Sequence, residues 1–96
     1  MERINITVTS LHVRQANQSN AADDRVCNPV SIAARQAFNA QSAFCTEQSI
    51  SFRFSGDVTY TQVFKLPAIA QDYLGNPHVN VKVPFSFALG DEHRLW

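Results

Sequence analysis

The nucleophiles and bases of this 96-residue chain are few: Cys27, Cys45, His12, His78 and His93, with two acidic dipeptides, Asp23-Asp24 and Asp91-Glu92. Cys27 stands just before the Asn28-Pro29 helix start. The positive end of a helix lowers a thiol pKa and favours the nucleophilic thiolate. A thiolate enzyme also needs a base, and no spacing ties any of the three histidines to Cys27. Cys45 lies in the apolar stretch Ala43-Phe44-Cys45, where a cysteine behaves as a small hydrophobe. Zinc sites need clustered ligands, and the chain has neither His-x₃-His nor Cys-x₂-Cys. Each acidic dipeptide reads as solvated charge rather than as a pair of metal ligands. Gly56, Gly75 and Gly90 are isolated, whereas a phosphate-cradling loop needs them clustered. The expectation is no catalytic, cofactor-binding or metal-binding residue, no cofactor and no enzymatic activity.

Bulk charge removes further classes. Lys plus Arg and Asp plus Glu are eight each, and charged residues make up 17% of the chain. The six Arg residues are scattered and the two Lys residues lie apart, so the polybasic run of a phosphate-tracking face is missing. That weighs against nucleic acid as a partner. No apolar run approaches the 18 or so residues of a membrane helix. Met1-Glu2-Arg3 leads straight into an alternating pattern, unlike a signal peptide. A cytosolic compartment with both thiols reduced is the expectation.

Ninety-six residues is the size of one domain. Its elements follow from local pattern. Ile4, Ile6 and Val8 alternate with Asn5, Thr7 and Thr9, a half-buried strand. Ser10 caps a short turn through residues 11–15. Residues 15–25 are polar and aperiodic, the longest loop. Asn28 as N-cap and Pro29 at the first helical position start a helix that runs to about Asn39 or Ala40. Its apolar positions are Val30, Ala33, Ala34, Ala37 and Phe38, with Ile32 on the flank.

Residues 43–54 read as the second strand, with Ile50, Phe52 and Phe54 on one face. Ser55-Gly56-Asp57 is a tight turn into a third strand, residues 58–65, whose facing is ambiguous. Leu66-Pro67 opens a second helix, with Ile69, Ala70, Tyr73 and Leu74 in its stripe and Gly75 beyond its end. Val79 to Leu89 reads as a long last strand, and Pro84 places an edge or a bulge within it. The order βαββαβ predicts an α+β fold. We expect a four-stranded, mainly antiparallel sheet with two helices on one face, a ferredoxin-like arrangement. Phe52, Phe54, Phe85 and Phe87 all fit the inward register and are assigned to the core.

What remains for function is surface. The loop offers Asn17, Gln18, Asn20, Asp23 and Asp24, whose side chains adapt their hydrogen bonds to a partner. The tail, residues 90–96, offers Arg94 and the lone Trp96, residue types enriched at binding hot spots. An exposed strand edge offers a third surface, suited to strand addition or to a homodimer.

Three segments carry a resemblance. Asn5–Val13 (NITVTSLHV), Cys27–Phe38 (CNPVSIAARQAF), and Leu66–Leu74 (LPAIAQDYL) followed by Val83–Leu89 (VPFSFAL) together resemble a group of short uncharacterised proteins encoded by bacteriophages and prophages. That group tends to have Cys before the Pro where this chain has Asn28. The resemblance implies a viral accessory protein in the host cytoplasm. By analogy with anti-CRISPR proteins, it implies action by binding and inhibiting or modulating a host defence complex. A nucleic-acid-binding module and a phage assembly component are the alternatives.

Overall fold

The computed structural model describes residues 3–18, 23–76 and 78–95. In chain order the elements are β1 (Ile4–Val8), α1 (Ser10–Gln18), α2 (Pro29–Phe38), β2 (Ser42–Cys45), β3 (Ser49–Arg53), β4 (Gln62–Lys65), α3 (Ala68–Gly75) and β5 (Phe85–Leu89), followed by a 3-10 turn at Asp91–His93. The α+β class matches expectation. The single four-stranded sheet does not: the strands form two antiparallel sheets, β1–β5 and β2–β3–β4. Among the described residues there are also three α-helices rather than two.

The outer strands pair along their whole length, from Ile4 opposite Leu89 to Val8 opposite Phe85. Alternation puts Ile6, Val8, Phe85, Phe87 and Leu89 inside, as the pattern required. What joins the sheets is the tail. Arg94 bridges Phe64 antiparallel, and Leu95 N–H donates to Val63 carbonyl at 2.8 Å. The tail thereby occupies an edge of β4 where the expected fold has a strand.

Four of these expectations change in the structure. The stretch 43–54 is two strands. Thr46 folds back on itself between them: its N–H donates to Ser49 carbonyl, and its hydroxyl accepts from the Gln48 and Ser49 N–H groups. The third strand starts at Gln62 instead of Val58. Asp57 holds the preceding loop, its carboxylate accepting from Phe54 N–H and Thr61 hydroxyl. Gly56 supplies the turn's φ of +91°, and Val58 is left 95% exposed. The last strand begins only at Phe85, after a cis Val83–Pro84 bond. Residues 15–18 belong to α1, not to a loop, because Thr9 carbonyl accepts from His12 and Val13 N–H and starts the helix.

The core lies between the sheets and α2. Ala33 and Ala34 are small enough for α2 to pack closely on β1. Phe52 stacks on Phe38 with centroids 4.1 Å apart and meets Phe64 edge-on at 5.9 Å. Phe52 and Phe64 are fully buried, Phe85 and Phe87 nearly so, and Phe54 is half-buried against the same cluster. A buried Phe of this kind contributes about 3–5 kcal/mol. Among the described residues no helix is long and apolar enough to cross a membrane.

Candidate functional site

An open cleft of about 840 Å³ lies at the N-terminal end of α2. One wall is the end of α1, with Ala16 and Asn17. A second is the turn at residues 24–28, a third the β2–β3 turn with Thr46, Glu47 and Gln48, and Leu74 of α3 closes the side.

The turn is fixed by its own polar groups. Asn28 caps α2: its side-chain oxygen accepts from Ser31 N–H at 2.8 Å, while the Ser31 hydroxyl accepts from Asn28 N–H at 3.0 Å. The Asn28 amide also donates to Asp24 carbonyl at 3.0 Å, tying cap to turn. Val26 and Cys27 N–H donate back to Asp23 and Asp24 carbonyls. Cys45 N–H donates to Arg25 carbonyl at 2.7 Å, which fastens the turn to β2. Asp23 takes the Arg25 side chain through both carboxylate oxygens, at 3.0 and 3.1 Å. The Arg25 side-chain hydrogen bonds, then its backbone N–H, hold the Asp23 carboxyl below its usual range. The Arg25 guanidinium also lies 4.7 Å above the Phe44 ring.

The two thiols differ. Cys45 is 2% exposed at the cleft floor. Burial pushes its pKa up to about 12, against a smaller opposing effect of the Asn28 hydrogen bond. Cys27 is half-buried and lines the cleft. The histidines are elsewhere. His12 is bonded to Thr9 and Gln36, and His93 to Gly90 N–H. His78 is exposed in the turn after α3. None of them lines the cleft. Among the described residues no group of three or more His, Cys, Asp or Glu is placed to hold a metal ion.

Of the residues singled out from sequence, Asn17 and Asp24 meet at this cleft, and Asp23 is spent on Arg25 beside it. Gln18 is exposed at the end of α1. Arg94 is on β4's edge, away from the lining. Asn20 and Trp96 lie outside the described residues. Sequence reasoning missed Thr46, Glu47, Gln48 and Leu74. The pattern Thr46-x-x-Ser49, a hydroxyl able to fold back on its own backbone, was the available signal for the turn.

Comparison with protein-family models, with curated proteins and with solved structures finds no match for the chain.

Proposed function

We propose that this chain works as a stoichiometric, non-enzymatic binding protein that recognises another protein through the cleft at the start of α2. The observation that carries this reading is the contrast between its framework and its lining. Backbone and capping hydrogen bonds lock the 24–28 turn and the β2–β3 turn. The exposed groups they present are Asp24, Glu47 and Gln48, and Asn17 of α1 lines the same cleft. A preorganised polar surface loses little conformational freedom on binding, so more of its contact energy appears as affinity.

The resemblance to phage and prophage proteins directs the choice of partner to a host defence complex in the host cytoplasm, which the chain would inhibit or modulate as anti-CRISPR proteins do. This part is analogy and stands apart from the geometry. The experiment is affinity capture from host lysate with mass spectrometry, using the intact chain and an Asn17→Ala/Asp24→Lys variant. Both positions are exposed at the surface, so the variant keeps its fold. A partner retained by the parent chain and weakened at least tenfold by the variant supports the reading. Capture of no stable partner across several hosts, or capture indifferent to the variant, overturns it. Salt-sensitive retention on DNA or RNA would instead support a nucleic-acid module, and a stable homo-oligomer an assembly component.

A further inference from the structure

Helix α3 ends without donors for its last carbonyls. In a continuing helix the carbonyls of Tyr73, Leu74 and Gly75 would take the N–H groups of residues 77, 78 and 79. Pro77 has no N–H to give. His78 N–H donates instead to Asn76 Oδ1 at 3.2 Å, and Val79 N–H to Asn76 carbonyl at 3.2 Å. The same end is the negative pole of the helix, and its last turn carries no basic residue to offset it.

Onto this negative end the β2–β3 turn lays a carboxylate, and Gly75 admits it. A Cβ at Gly75 would stand 3.0 Å from Glu47 Cδ and 3.0 Å from Glu47 Oε2. Gly75 is not among the positive-φ residues, so the glycine serves this close approach and not a special backbone conformation. A carboxylate and a helix C-terminus repel each other, and the chain sets no cation between them. Among the described residues the Glu47 side chain has no hydrogen bond or ion pair, nor has the carboxylate of Asp24, the other acid of the lining. Arg25 also lines the cleft, but both Asp23 oxygens hold its side chain and its guanidinium lies over Phe44. The start of α2 offers little positive field in return: Pro29 has no N–H, and Asn28 takes the N–H of Ser31.

We propose that Glu47 and the end of α3 form a cation subsite of the cleft, and that it receives an arginine side chain of the partner protein. The inference rests on the cleft being a protein-binding surface. A guanidinium carries five N–H donors in one plane, enough to bond a carboxylate and neighbouring carbonyls together, where a lysine ammonium has three. Ala16, Pro29 and Leu74 line the same cleft and give the methylene stem of an arginine apolar contact.

The test is an NMR titration of the full chain at about pH 7 with N-acetyl-arginine amide, read at the amides of residues 46–48, 74 and 75. Saturable shifts centred on those amides are expected. Glu47 is exposed, so Glu47→Gln keeps the fold, and it should weaken binding roughly three- to tenfold, as for a solvent-facing charge pair. Gly75→Ala suits a helix better and pushes the Glu47 carboxylate off the end of α3, so it should weaken binding as well. The neutral isostere N-acetyl-citrulline amide should leave the amides unmoved. Equal shifts with the citrulline amide, or undiminished binding by Glu47→Gln, overturns the proposal. A saturable response to calcium ion with none to the arginine amide overturns it in favour of a metal site. Should the probe bind as expected while partner capture ignores Asn17→Ala/Asp24→Lys, the cation subsite stands and the protein-binding reading falls. Should capture follow that variant while Glu47→Gln captures as well as the parent chain, the reading stands and the subsite falls.

Discussion

Cys45 lies on the core face of β2, and burial pushes its thiol from the ordinary 9.0 up to about 12. The folded state keeps that proton where the unfolded chain gives it up. The contribution to stability is therefore complete below pH 9 and is lost as pH rises from 9 toward 12. Chemical denaturation from pH 8 to 11 should show the midpoint falling above pH 9, with the fall reduced in Cys45→Ala. The same burial predicts that iodoacetamide at pH 8 modifies one thiol in the native protein, Cys27, and a second only in denaturant. Cys45 was legible in the sequence because its apolar neighbours decide its environment. His12 was not, because Gln36, to which its ring is bonded, comes from a different helix.

Helix α2 is set almost wholly by local signals. Asn28, Pro29 and Ser31 supply its start, and Asn39 in the left-handed region ends it, with φ 53°. Asn28→Ala should cost about 1–2 kcal/mol, since cap, capping box and the bond to Asp24 carbonyl fail together. For a chain of this size that lowers Tm by roughly 5–15 °C, measurable by calorimetry. The same variant should loosen the 24–28 turn that forms the cleft wall.

Where elements were misjudged, a short side chain had captured the backbone. Thr46 breaks the stretch 43–54 into β2 and β3, and Asp57 holds residues 54–61 out of β4. Both stretches keep β-rich composition, so alternation alone reads straight through them. α1 was missed because its apolar face is short, Val13 and Ala16 half-buried and no residue fully buried, so the polar run from Gln15 onward hides it.

For the molecule, the inward faces of both sheets were legible and the sheet order was not. Alternation assigns a face to each strand but says nothing of its neighbour, and the β1–β5 ladder joins Ile4 to Leu89 across nearly the whole chain. The free side of β4 is likewise taken by residues 94 and 95 rather than by a strand. Leu95→Pro removes the N–H that donates to Val63 carbonyl. It should cost about 0.5–1.5 kcal/mol and uncover part of a strand edge. Light scattering should then detect association that grows with concentration, and a variant that stays monomeric at every concentration would show the tail is not the cover.

The β1–β5 register also sets an order of events during synthesis. Ile6 and Val8 are made before the strand that pairs with them, which carries Phe85, Phe87 and Leu89, and the rest of the named strands and helices are made in between. The β2–β3–β4 meander, with its short connections, can assemble while the ribosome is still translating. Strand β1 has to wait, its apolar side chains without their β5 cover until β5 itself has left the exit tunnel. In that interval the nascent protein presents an unpaired, β-branched segment, the kind of stretch to which holding chaperones are drawn.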